Sequence, residues 1–304
     1  MPSDYQAIRF HAYGGSDQLK LETLPLPTPA AGEVLVKVQF AGVNPIDWKL
    51  RIGAYQAFMP VTFPASPGID VSGTIEEVGP GVTSWKKGQA VFGVARGSYA
   101  QFALAKDVDL VAKPDGISFE IAASLPVGAL TAWQLVEEAG VKAGQKVLVQ
   151  GASGGVGLFA VQFAKLRGAH VVGSTSTGNI AFVKGLGADE VLDYTKGPLP
   201  IRELDVVIDT VGGSVFDSSY RLLKKGGTLV SPAGQPNAET AKSHGVTAKY
   251  VSRGPITALP LIADLVANKK VAAEISKVFL LNQAAQAQDL SQAGHGRGRI
   301  LLKI

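Results

Sequence analysis

Residues 146–157 read Lys-Val-Leu-Val-Gln-Gly-Ala-Ser-Gly-Gly-Val-Gly, and no other stretch limits the possible folds of this chain as tightly. The apolar run 147–149 is of the kind that forms a strand buried on both faces. It breaks at once into glycine and small residues, after which Val156, Phe159, Ala160, Phe163 and Ala164 recur at helical spacing. Strand, glycine turn and helix in that order meet the needs of a dinucleotide pyrophosphate. The turn is tight, the backbone comes close to the phosphates, and the helix N-terminus offers free N–H groups and its positive dipole end. The spacing Ala152-x-Gly154-x-x-Gly157 is a variant of the G-x-G-x-x-G fingerprint, so Ala152, Ser153, Gly154, Gly155, Val156 and Gly157 are predicted to contact the cofactor. A plain structural βα turn is the competing reading.

At 304 residues the chain exceeds the usual size of one domain, so two are expected. A hydrophobic content of 46% against 18% charged residues excludes a disordered chain. There are no cysteines, which removes disulfides, thiol nucleophiles and thiolate metal sites together. The net charge of +4 is spread over short basic spots such as Lys86-Lys87, with no dense stripe of the sort that binds nucleic acid. No basic segment followed by an apolar core opens the chain, so no secretory signal is read and a cytoplasmic location is expected. The uncharged stretch 147–164 has the length of a membrane span, but the glycine turn inside it divides it into two soluble elements.

Residues 1–122 read as a β-rich region. Stretch 33–40 alternates, with Val34, Val36 and Val38 on one face and Lys37 and Gln39 on the other. Further strands are predicted over 71–78, 90–94 and 99–104, and 25–29 is a proline-rich surface connection. From about 123 strands and helices alternate. Strands fall at 147–149, 171–173, 191–192, 206–208, 228–230 and 248–251, and helices at 156–166, 180–186, 214–223 and 256–266. This pattern predicts an α/β doubly wound parallel sheet of six strands. Strands at 278–281 and 299–304 around a polar helix over 283–292 return to the first domain. The expected division is 1–122 with 268–304, and 123–267.

Several segments in this order resemble the medium-chain dehydrogenase/reductase superfamily. They are Ala41-Gly42-Val43-Asn44-Pro45-Ile46-Asp47-Trp48-Lys49, Pro67-Gly68-Ile69-Asp70-Val71-Ser72-Gly73, Gly128-Ala129-Leu130-Thr131-Ala132, the 151–157 turn, the segment 186–194 and Gly294-His295-Gly296-Arg297-Gly298-Arg299. The branch it looks like is the zinc-independent quinone oxidoreductases and NADPH-dependent alkenal or enone reductases. The resemblance implies a GroES-like catalytic domain, a Rossmann domain, a cleft between them and a possible homodimer. The zinc branch binds its metal through cysteine and histidine at segments that here carry Asn44 and Gly68-Ile69-Asp70. No metal ligands are therefore assigned, and no zinc is expected. An alcohol or aldehyde dehydrogenase loses its Lewis acid on this reading. A non-catalytic NADPH-binding or redox-sensing protein is the rival from another class.

NAD sites place an acidic residue about 20 positions beyond the turn, against the ribose hydroxyls. Here the second strand ends Gly173-Ser174-Thr175-Ser176 with no carboxylate to repel a 2′-phosphate and with hydroxyls that can donate to it, which favours NADPH and makes Ser174, Thr175, Ser176 and Asn179 predicted cofactor contacts. Relatives commonly place an arginine or lysine just afterwards, whereas this chain has Thr177, Gly178 and Asn179. The phosphate then needs its counter-charge from elsewhere, with Lys184 and Arg299 as candidates and Tyr194 packing nearby. The remaining predicted cofactor contacts are Val211, Gly212, Ser231 and Ala233. The resemblance places Asn44 and Thr131 near the nicotinamide, although helix capping also accounts for Thr131. The expected reaction is hydride transfer to a quinone or to the β-carbon of an enone, whose enolate must be stabilised and protonated. The resemblance makes Tyr55, at a position that lines the substrate cleft in quinone reductases, and Lys49, which matches a lysine of enone reductases, the candidate donors, with Asn44 a third candidate in the reaction; Asp47 is expected to orient its neighbours.

Overall fold

The computed structural model describes residues 2–294 and 296–304; His295 of the 294–299 motif lies outside them. Two compact units result. One gathers the chain up to Val127 with Ile256–Asn268 and Ile275–Ile304; the other comprises Gly128–Pro255 with Lys269–Glu274.

The first unit opens with an antiparallel pair, β1 (Asp4–Arg9) and β2 (Lys20–Pro25), followed by β3 (Glu33–Val43). Val34, Val36 and Val38 of β3 are buried while Lys37 and Gln39 are exposed, as the alternation predicts. α1 (Pro45–Arg51) starts on a proline, tolerated in a first turn because its missing N–H would have no helical partner there. Next come β4 (Asp70–Val78), β5 (Ala90–Val94), β6 (Phe102–Lys106) and β7 (Leu110–Ala112). β6 begins later than the strand expected over 99–104, because the N–H of Tyr99 bonds Pro67 and pairing with β3 starts only at Phe102. The short α2 (Phe119–Ser124) is capped by Ser118, whose Oγ accepts from the Ile121 N–H at 3.1 Å. α3 (Pro126–Glu138) then carries the chain into the second unit.

That unit alternates β8 (Lys146–Gln150), α4 (Gly157–Leu166), β9 (His170–Thr175), α5 (Ile180–Gly185), β10 (Glu190–Asp193), β11 (Leu204–Asp209), α6 (Val215–Tyr220), β12 (Leu223–Ser231), α7 (Ala238–Ser243) and β13 (Thr247–Tyr250). Its six strands are all parallel in the order β10-β9-β8-β11-β12-β13. This is the doubly wound arrangement predicted, with the order reversing beside β8. α6 is shorter than the helix expected over 214–223. Leu222 and Leu223 are drawn into the core with Leu204, and Leu223 pairs with Leu204 to start β12. Val147, Leu148 and Val149 are fully buried, as are Phe159 and Ala160 of α4.

α8 (Leu259–Ala267), β14 (Ile275–Leu280), α9 (Ala284–Ala293) and β15 (Arg299–Lys303) complete the first unit. β15 pairs antiparallel with β3 and parallel with β14, so the chain's end does return to the opening domain. The expected boundary put residues up to 267 with the nucleotide unit, whereas Ile256–Asn268 groups with the first, where α8 touches β7. A short 3-10 turn (Ile256–Ala258) precedes α8, and Pro260 lies in the first turn of α8.

Candidate functional site

In the second unit the β8–α4 turn is built around backbone crowding. Gly151 has φ +69°, a left-handed conformation that glycine adopts freely. A Cβ on Gly157 would lie 2.1 Å from the Gly151 carbonyl oxygen, so no side chain fits there. The same probe on Gly154 gives 3.3 Å, a tighter than usual but yielding contact. Ala152 replaces the first fingerprint glycine at little cost, being fully buried where Gly173 of β9 leaves it room. The N–H groups of Gly155, Val156 and Gly157 have no backbone partner among the described residues. They lie at the N-terminal end of α4, the arrangement that receives a phosphate.

The adjoining turn after β11 is shaped by a residue the sequence reading missed. Asp209 is fully buried and accepts from the N–H groups of Val211 at 2.8 Å and Gly212 at 3.1 Å. Burial pushes its carboxyl above the ordinary carboxylate range, against the pull of those two N–H groups. A Cβ on Gly212 would lie 2.7 Å from the Ala233 side chain, so the turns after β11 and β12 touch. Val211 is thereby left exposed, and the buried Ser231 accepts from the Ala233 N–H at 3.1 Å. Thr131 lies buried in the middle of α3, which removes the capping explanation for it.

At the end of β9 the hydroxyls divide. Ser174 and Thr175 are buried, and the Thr175 hydroxyl donates inward to Ser153 at 2.9 Å. Ser176 and Asn179 are partly exposed and bonded to each other at 3.3 Å, while Tyr194 is about half exposed. Thr177 donates to the carboxylate of Asp193, which pairs across from β9 at the tip of β10. Its hydrogen bond from Thr177, then those from Thr195, hold the Asp193 carboxyl below the ordinary range.

Arg299, a candidate counter-charge for the phosphate, has its guanidinium engaged by protein groups. It lies on β15 in the first unit, 3% exposed, with Nη2 on Asp70 at 2.7 Å and on Asn44 at 2.8 Å. Its Nε donates to the Ser124 carbonyl at 3.0 Å. Asn44 in turn donates from Nδ2 to Asp70 at 3.0 Å, and Asp70 also accepts from the Val127 N–H at 3.0 Å. Gly42 makes the cluster possible, since a Cβ there would lie 2.6 Å from the Asp70 carboxylate. Asn44, expected near the nicotinamide, is fully buried with its amide bonded at both ends.

Asp47 begins a second buried chain of contacts. It accepts from the Asn44 N–H at 2.8 Å and from the Tyr99 hydroxyl at 2.9 Å. Burial pushes its carboxyl up to about 7, outweighing these donors. The Tyr99 hydroxyl is likewise driven well upward, first by burial and then by Asp47. Arg51 closes the cluster through Gln288 at 2.7 Å and the Gly14 carbonyl at 2.6 Å.

Lys49 and Tyr55 stay accessible. The Lys49 ammonium lies 5.6 Å from the centre of the Trp48 ring and 5.9 Å from that of Tyr55. Tyr55 is partly exposed and contacts Phe58, which is 72% exposed, at a ring separation of 5.1 Å. Two donors therefore stand together on an apolar rim.

Among the described residues no group of three or more His, Asp or Glu side chains is arranged to hold a metal, and no helix is long and apolar enough to cross a membrane. The description "Alcohol dehydrogenase GroES-like domain" matches residues 30–115, and "Zinc-binding dehydrogenase" matches residues 186–302. A chloroplast envelope quinone oxidoreductase homolog of Arabidopsis thaliana is 36% identical, covering 98% of each chain. A 2-methylene-furan-3-one reductase of Solanum lycopersicum is 37% identical over 76% of this chain and 62% of its own length. The solved quinone oxidoreductase of Coxiella burnetii is 34% identical, with a TM-score of 0.93 and 99% of both chains covered. A mycobacterial protein solved in complex with NADPH is 30% identical, with a TM-score of 0.90 over 99% of this chain and 100% of that one.

Proposed function

Since this chain belongs to the zinc-independent quinone oxidoreductase branch of the medium-chain dehydrogenase/reductase superfamily, we propose that it reduces a quinone or an α,β-unsaturated carbonyl with NADPH and without a metal. The observation that carries this reading is the Arg299 guanidinium, bonded to both Asn44 and Asp70. Those residues fall in the segments where the zinc branch has its ligands. A fixed organic cation there neutralises Asp70 and occupies the acceptors that a metal would need.

The glycine turn suits a dinucleotide, because its backbone is bare where a Cβ would collide and the N–H groups of Gly155, Val156 and Gly157 have no backbone partner among the described residues. Gly154, Gly155, Val156 and Gly157 would hold the pyrophosphate, and the partly exposed Ser176 and Asn179 the ribose end. Bound NADPH supplies a hydride at the nicotinamide.

The protein's own part is to place an acceptor and manage a proton. Tyr55 and Lys49 each carry a donor on the same apolar rim, suited to the oxygen of a quinone or to the enolate left when an enone gains hydride. The buried Asp47 and Asn44 hold the start of α1, and with it Lys49, in a fixed place. An unactivated alcohol would need its proton removed against a high pKa, and Arg299 already holds the acceptors that a Lewis acid would take. A quinone needs only hydride and proton, which supports that substrate class. The Arabidopsis and Solanum relatives, named for a quinone and for an enone, support the same pair.

Steady-state NADPH oxidation against an o-quinone, an α,β-unsaturated ketone and a simple aldehyde tests the reading. Turnover with either of the first two and none with the aldehyde is expected. Turnover with the aldehyde alone would overturn it.

A further inference from the structure

We infer that Asp193 sets the choice between the two nicotinamide dinucleotides, by fixing a negative charge beside the ribose 2′ position so that NADH is accepted nearly as well as NADPH. The inference rests on the nucleotide reading of the 151–157 turn.

A ribose-binding carboxylate is sought about 20 positions after the glycine turn. Thr177 occupies that place and has no charge of its own. In space, however, its hydroxyl is bonded to Asp193, which the parallel pairing of β10 with β9 delivers to the same point. Asp193 pairs opposite Thr175, the last residue of β9.

Three observations make that carboxylate a fixed one. Oδ2 accepts from Thr177, and Oδ1 accepts from the Thr195 N–H at 3.0 Å and the Thr195 hydroxyl at 2.6 Å. These bonds favour the charged form, so the group is ionised at neutral pH. The side chain itself is only 7% exposed, so these bonds hold it in one place.

The counter-charge beside it is thin. Lys196 reaches Asp193 at 3.9 Å but is 72% exposed, and Lys184 stands exposed on α5. Gly178 adds no side chain to the loop. Two hydroxyls expected to donate to a phosphate are also withdrawn, Ser174 by burial and Thr175 by its bond to Ser153. A 2′-phosphate would bring about two negative charges next to an ionised carboxylate, whereas a 2′-hydroxyl would meet a hydrogen-bond acceptor.

The test compares Kd for NADH and NADPH, by titration calorimetry at fixed ionic strength, in the parent chain, Asp193→Asn and Lys196→Gln. Asparagine keeps an oxygen for Thr195, and Lys196 is too exposed for its loss to affect folding. The parent is expected to hold the two dinucleotides within about tenfold of each other. Asp193→Asn should shift the ratio towards NADPH by about thirtyfold, the effect in water of removing one unit charge about 4 Å from a phosphate that carries about two. Lys196→Gln should shift it the other way, with the NADH affinity unchanged. An unchanged ratio in both variants, or equal changes in both affinities, overturns the inference and leaves Asp193 a structural tie between loops. A parent that binds neither dinucleotide would instead overturn the nucleotide reading itself.

Discussion

Arg299→Met isolates the buried cation on which the metal-free reading depends. Arg299 and Asp70 are 3% and 0% exposed, and the guanidinium donates to Asp70, Asn44 and the Ser124 carbonyl. Methionine fills much of the same space and removes every donor. Asp70 would then be an ionised carboxylate in the core that has lost its guanidinium partner, with the Asn44 amide and the Val127 N–H still donating to it. Breaking a buried pair from one side in this way costs about 3–5 kcal/mol. Urea unfolding followed by far-UV circular dichroism reads the loss as a lower midpoint at an unchanged m-value. Adding Asp70→Asn to the same chain removes the stranded charge while keeping an acceptor for Val127, so it should recover about half of the loss. If Arg299→Met alone stays within about 1 kcal/mol of the parent, the pair is not a desolvated ion pair and the reasoning fails.

Three further outcomes follow from the same geometry. Gly157→Ala should abolish measurable NADPH binding while Gly154→Ala weakens it only mildly, since the added Cβ would meet the Gly151 oxygen at 2.1 Å in one case and 3.3 Å in the other; equal losses by calorimetry would contradict this. The Asp47 carboxyl, raised by burial from 3.8 to about 7, keeps its proton in the folded state over a range where the unfolded chain has lost it. Its contribution to stability is complete below 3.8 and disappears as pH rises to about 7, so Asp47→Asn should gain on the parent across that window, and parallel unfolding curves would rule it out. Finally, Tyr55→Phe and Lys49→Met separate the two proton donors: the one in use should lose about a hundredfold in kcat at unchanged NADPH affinity. Parental kcat in both variants would remove both from the mechanism.

Much of the second unit was legible because its signals are local. The apolar run 147–149, the glycine turn and the spacing of Phe159 and Phe163 each act within a few residues, and the strands fell where the apolar runs lay. The first unit was legible in its long alternating strand β3 and in the return of its C-terminal strands, but not in β1, β2 or the short helices α1 and α2. Those elements hold through caps and pairing partners, such as Ser118 on Ile121, whose effect a periodicity does not register.

The candidate site divides along the same line. Ala152 to Gly157 were readable from spacing, whereas the partners of Arg299 were not. Its bonds to Asn44 and Asp70 reach back 255 and 229 residues along the chain. Asp193 was overlooked for a related reason: it reaches the end of β9 through sheet register, so its place in the chain gave no hint of its neighbour Thr177. Asp209 offered a faint signal, an acidic residue closing an apolar strand just before Gly212-Gly213.

Direct hydride transfer is the central claim, and isotopic labelling reaches it most directly. The protein is given NADPH carrying deuterium at the transferable position of the nicotinamide, together with an α,β-unsaturated ketone, and the product is read by mass spectrometry and NMR. The account predicts one deuterium at the β-carbon and a solvent proton at the α-carbon. Product without deuterium, or saturable NADPH binding with no product from either an enone or a quinone, would contradict it.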